Sequence, residues 1–153
     1  MIPIAAFLWL MFFPNAPYIL TDFQHLAHRG FQDPPVWYDV MMLFWFALTG
    51  LMLGIVSLFL MQEIIRRAFG RWLGWTFVAV VTVLSSPGLY MGRFLRWNSW
   101  DILRNPTGIA ARSITHAQDP SLRSIGFISL FGGLFLFLYI TLYVFGHLLL
   151  EKQ

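Results

Sequence analysis

The chain has 153 residues, of which 58% are hydrophobic and 11% charged, with a formal net charge of +3 and a mean hydropathy of +0.68. A soluble domain carries about 45–50% apolar and about 25% charged residues, so this composition excludes a soluble globular domain, a disordered chain and a nucleic-acid-binding module. No cysteine is present, which excludes disulfides, thiolate metal sites and cysteine nucleophiles.

The 17 formal charges fall in four groups: Asp22 to Asp39, Glu63 to Arg71, Arg93 to Arg123, and Glu151 with Lys152. The stretches 1–21, 40–62, 72–92 and 124–150 carry none. About 20 residues cross the roughly 30 Å hydrocarbon core, and an isolated span satisfies its backbone only as a helix. The predicted fold is all-α: a polytopic transmembrane helix bundle forming one membrane domain over 1–153. Its spans are expected at about 2–20, 38–62, 72–91 and 124–150. The N-terminus has neither a basic n-region nor a small-residue cleavage site, so no removable signal peptide is expected.

The first span contains Pro14 and Pro17 within FFPNAPYIL. Each removes a helical N–H and disfavours helix in the residue before it, so a kink or break is expected there. Thr21-x-x-Gln24 matches a capping box for a following helix. The second span opens behind the aromatic anchor Trp37-Tyr38. It carries Gly50-x-x-x-Gly54, flanked by Ala47 and Ser57, a small face that allows close helix approach and predicts homo-oligomerisation.

Glu63, Arg66, Arg67 and Arg71 read as a solvated turn. The third span begins at Trp72 and Trp75 and meets Ser85-Ser86-Pro87-Gly88, a second expected break. A short interfacial helix, capped by Asn98 or Ser99 and ending before Pro106, is expected in the third loop. Ser129, Gly132 and Gly133 form a packing face on the fourth span, where Tyr139 and Tyr143 are expected inside the bundle. His116 is read as interfacial and His147 as a helix-end cation.

With this order of spans, the first and third loops share one side of the membrane. The first carries Arg29 against Asp22, Asp33 and Asp39; the third carries five Arg against Asp101 and Asp119. Both proline-containing helix ends point to the same face. Lys plus Arg divide six to four between the two sides, too even a split for the positive-inside rule to assign orientation.

Two clusters carry the candidate chemistry. Asp22, His25 and His28 recur at i, i+3 and i+6, so on a helix they share a face. A carboxylate with two imidazoles suits a divalent metal; the competing account is the capping box, with Asp22 placed against a helix dipole. The second cluster is Arg93, Arg96, Asn98 and Asp101. Two Arg one turn apart suit a bidentate grip on phosphate or carboxylate. The plainer account is Arg side chains snorkelling to the interface. A third reading pairs Arg93 or Arg96 with Asp22 or Asp39 across the two loops, since ionisable groups at membrane depth are usually paired.

The blocks FFPNAPYILTDFQHL, WYD and GRFLRWNSWD, in this order, resemble an uncharacterised bacterial membrane family, domain of unknown function 1361. The resemblance runs from about Trp9 to the fourth span. It implies a multi-pass protein of the bacterial cytoplasmic (inner) membrane and supplies no activity. It also implies further hydrophobic sequence ahead of the FPNAPY block, where thirteen residues precede Pro14 here.

The functional expectation is a membrane-embedded enzyme or binder with a polar site at one interface. Asn15, Tyr18, Arg93, Arg96, Asn98 and Asp101 would bind a substrate or anion. Asp22, His25 and Asp39 would serve as base, and Asp22, His25 and His28 as metal ligands. The expected partners are the bilayer, an anionic headgroup or small anion, and a second copy through the Gly50/Gly54 face, with no nucleic acid. A small transporter or channel, or an assembly subunit, are the alternatives.

Overall fold

The computed structural model describes residues 2–23, 35–95, 100 and 104–150. Among the described residues there is no strand, and four helical stretches are long and apolar enough to cross a membrane. The protein is therefore a multi-pass helical membrane bundle.

The first span combines α1 (Ile2–Phe12), the single turn α2 (Asn15–Tyr18) and a 3₁₀ turn over Ile19–Asp22. The sequence explains the interruption. Pro14 has no N–H, and its φ of −60° and ψ of −18° keep the chain right-handed while the bonding tightens. The Phe13 N–H still donates to the Trp9 carbonyl at 2.8 Å, but the Ala16 N–H reaches only three residues back, to Phe13 at 3.1 Å. Ile4–Asp22 forms one candidate span of 19 residues, about 28 Å at the helical rise.

Thr21 lies inside the 3₁₀ turn, fully buried, and its hydroxyl donates back to the Tyr18 carbonyl at 2.7 Å. Helical backbone precedes Thr21, so its hydroxyl meets a carbonyl behind it; Gln24, the other half of the expected capping box, lies outside the described residues.

Helix α3 (Val36–Phe69) and helix α4 (Arg71–Phe94) form an antiparallel hairpin joined by Gly70 alone. At φ 96° and ψ 169° this residue occupies a region that L side chains rarely adopt. The expected break in the third span is absent, since α4 runs uninterrupted through Pro87. Pro87 deprives the Val83 carbonyl of its helical donor. Around it, the hydroxyls of Thr82, Ser85 and Ser86 donate to the carbonyls of Val78, Val81 and Thr82 at 2.7–2.9 Å.

Helix α5 (Pro106–Gln118) occupies the third loop. It begins at Pro106; Asn98 and Ser99, the expected caps of a shorter helix before it, lie outside the described residues. Asn105 caps it, accepting the Gly108 N–H at 3.0 Å, with Pro106 in the first helical position. Helix α6 (Leu122–Leu150) follows, and the Ser121 hydroxyl accepts the Ser124 N–H at 3.1 Å as its cap.

The core joins all four spans: Phe13, Leu51, Ile55, Leu58, Val78, Val81, Phe135 and Tyr139. Helix α4 is the most enclosed of them and α6 the least. The outer surface is studded with exposed apolar side chains such as Trp45, Phe46, Leu60, Val83, Leu130 and Phe137. In water such a surface would aggregate; in a bilayer it faces lipid.

Candidate functional site

The end of the first span and the end of α4 meet at one polar contact. Arg93 Nη1 donates to Asp22 Oδ1 at 2.8 Å, with 11% of the Arg93 side chain and 31% of the Asp22 side chain exposed. Sequence order explains the meeting. The first span and α4 lie two crossings apart and run the same way, so their C-terminal ends share a face.

Gly88 and the Pro14 ring pack against each other. A Cβ at Gly88 would lie 3.5 Å from the Pro14 ring, which brings the two proline regions side by side. Among the four pairings open to the sequence reading, this structure contains Arg93 with Asp22. Arg93 uses one of its donor groups on this bond, and a guanidinium has five N–H donors in a fixed fork.

The surroundings are aromatic. Tyr90, Phe94 and Phe127 stack in a chain with centroids 4.7–5.7 Å apart. The Arg123 guanidinium lies over the Phe94 ring at 5.0 Å, a cation–π arrangement that brings a second cation to this end of the bundle. Helix α5 leans on the end of α4 through Ser113, whose hydroxyl lies 3.4 Å from Met91 Sδ. Trp100 packs edge-on against Phe12 at 5.3 Å, so the third loop returns to the first span.

Of the other candidates, Asn15 is exposed at the start of α2 and Tyr18 is half-buried in it. Asp39 is half-buried in the first turn of α3, and Arg93 bonds Asp22 rather than Asp39. His25, His28, Arg96, Asn98 and Asp101 lie outside the described residues, as do the side chains of His116 and His147. Among the described residues no group of three metal-binding side chains occurs, and Asp22 faces a guanidinium.

A cavity of about 20 Å³ lies among Phe13, Pro17, Thr82, Ser85, Ser86, Leu89, Phe131 and Phe135, room for about one water.

The family model described as protein of unknown function (DUF1361) matches residues 1–138. The chain belongs to this family. No curated protein and no solved structure matches it. Membership of DUF1361 carries no activity with it, so the chemistry rests on the residues themselves.

The small face of α3 corrects a partner expectation. Within this DUF1361 chain, Gly50 and Gly54 are covered by Ala16 of α2, and Ser57 accepts the Trp9 indole N–H at 2.6 Å. The face predicted to bind a second copy is occupied by the chain's own first span. On α6 only Gly132 is closely packed, against Ser86, while Ser129 and Gly133 face outward.

One buried polar pair escaped the sequence reading. The Tyr139 hydroxyl donates to Gln62 Oε1, with both residues almost fully buried, and among the described residues Gln62 Nε2 has no hydrogen-bond partner. The available signal was an amide at the last position of an uncharged window, next to Glu63.

Proposed function

We propose that this protein is a membrane-embedded binder of an anionic group, with its site at the membrane interface where the first and third loops meet. Arg93 is the anion-holding residue and Asp22 its positioning partner. Asn15, Tyr18 and Asp39 border the site, and the sequence adds His25, Arg96, Asn98 and Asp101 to the same two loops. The observation that carries this reading is the Arg93–Asp22 pair: a guanidinium nearly nine-tenths buried, which among the described residues is bonded to a carboxylate through one nitrogen.

A bilayer-depth arginine splayed to water would fit a snorkelling anchor; a paired one with spare donors fits a binding group. An incoming phosphate or carboxylate would compete with Asp22 for the fork. The displaced carboxylate would then stand beside the ligand as a base, which is how binding would pass into catalysis. A location in the bacterial cytoplasmic membrane belongs to this proposal, and the family resemblance supports it.

The test is ligand-dependent thermal stabilisation of the purified protein by inorganic phosphate, glycerol 3-phosphate and citrate. A ligand at 100 times its dissociation constant adds about 2.7 kcal/mol. At least one anion is expected to raise the melting temperature of the wild type and to leave Arg93→Gln unmoved. Equal stabilisation of both proteins, or of neither, would overturn the proposal.

A further inference from the structure

Directly toward the membrane interior from Arg93 and Asp22, the same two spans part. A cleft of about 200 Å³ lies between them, lined by Phe7, Leu10, Met11 and Pro14 on one side and Leu84 and Ser85 on the other. Its walls are apolar apart from Ser85, whose hydroxyl is bonded to the Val81 carbonyl at 2.7 Å. Phe7 is 54% and Leu84 55% exposed, so the cleft opens sideways to lipid.

Depth along the helices relates the cleft to the ion pair. Pro14 stands eight residues before Asp22 and Ser85 eight before Arg93, about 12 Å at the helical rise. From Pro14 to Phe7 the cleft extends about 10 Å further. Half of a roughly 30 Å hydrocarbon core is about 15 Å. The cleft therefore lies near the bilayer centre, where the distal end of a lipid's acyl chain would reach if its headgroup met Arg93. The third loop carries a net +3, from five Arg against two Asp, and the first loop a net −2, so the face as a whole is weakly cationic; one of those five, Arg123, holds its guanidinium over Phe94. Trp100 against Phe12 brings that loop down beside the same span.

We infer that the ligand of the Arg93 site is an anionic phospholipid taken laterally from the bilayer, its phosphate on Arg93 and one acyl chain in the cleft between α1 and α4. This rests on the anion-binding reading above and adds the apolar half of the ligand.

The experiment reconstitutes the full chain in phosphatidylcholine nanodiscs containing trace phosphatidylglycerol with a photoreactive acyl chain, and measures crosslinking and its competition. Crosslinks are expected at Phe7, Met11 or Leu84. Arg93→Gln and Leu84→Trp, which fills the cleft from an exposed position, are each expected to weaken phosphatidylglycerol capture about tenfold, equivalent to about 1.4 kcal/mol. Leu84→Trp is expected to leave the thermal response to glycerol 3-phosphate intact.

If Leu84→Trp captures the lipid as well as wild type while Arg93→Gln does not, the cleft inference falls and the anion site stands. If glycerol 3-phosphate competes as well as phosphatidylglycerol, the ligand is a soluble anion and the inference falls again. If Leu84→Trp changes only the oligomeric state, the cleft holds a second copy and the inference is overturned. Loss of neither capture nor stabilisation in Arg93→Gln removes both readings. Should Arg93→Gln fail to fold, Arg93→Lys keeps the charge and loses the fork, and is expected to give an intermediate loss. Phe7→Trp replaces Leu84→Trp on the same terms.

Discussion

Gly50 and Ala16 meet backbone to backbone: a Cβ on Gly50 would lie 2.7 Å from the Ala16 carbonyl oxygen. One turn on, a Cβ on Gly54 would lie 2.9 Å from the Ala16 Cβ. The first span is thus seated on α3 by two glycines, at the point where Pro14 and Pro17 interrupt it.

The two contacts predict different rescues. Gly50→Ala and Gly54→Ala should each destabilise by about 1–3 kcal/mol, as overpacking does. Ala16→Gly removes the methyl that Gly54→Ala strikes, but not the carbonyl that Gly50→Ala strikes. Unfolding of the detergent-solubilised protein should show partial rescue of Gly54→Ala by Ala16→Gly and none of Gly50→Ala. Rescue of both would mean that Ala16 does not sit as described.

Gly70 predicts strain without a clash. Its φ is 96°, yet nothing lies within 4 Å of where a Cβ would be. Gly70→Ala should cost about 1–3 kcal/mol through backbone conformation alone. Gly126, equally open but inside α6 at an ordinary helical φ, should accept Ala with no loss. Comparing melting temperatures of the two variants separates backbone strain from packing.

The Tyr139–Gln62 link predicts a non-additive pair. Tyr139→Phe leaves a second polar atom of Gln62 without a partner, at about 1–3 kcal/mol. Replacing both groups with apolar ones removes the unmet demand. The double variant Gln62→Leu with Tyr139→Phe should therefore be more stable than Tyr139→Phe alone. A double-mutant cycle showing simple additivity would refute the link.

Neighbouring glycines of α6 should behave oppositely. A Cβ at Gly132 would lie 2.6 Å from Ser86 Oγ, whereas nothing lies within 4 Å at Gly133. Gly132→Ala should displace the Ser86 hydroxyl from the Thr82 carbonyl and destabilise by about 1–3 kcal/mol, and Ser86→Ala should relieve it. Gly133→Ala should be neutral or stabilising, since Ala is the better helix former. Equal effects at the two positions would contradict the packing of α6 on α4.

Where the spans lie was readable from the chain alone, because the bilayer makes that information local. A charge at the centre of a membrane helix costs about 2.5–3.5 kcal/mol even on the lenient insertion scale, so four uncharged windows define four helices whatever they pack against. The proline breaks were only half readable. Pro14 interrupts the first span, whereas the helix of the third span continues through Pro87.

Which faces meet was decided by the tertiary structure. The small stripe of Gly50 and Gly54 suits any close helix equally well, so spacing could not distinguish a second copy from the chain's own first span. Nor could it choose among two Arg and two Asp on facing loops. That choice needed the relative register of two spans separated by a hairpin, in which Pro14 packs on Gly88. The scarcity of charge determined the membrane location by its local cost. The Arg93–Asp22 pair emerged only when spans 71 residues apart came into register.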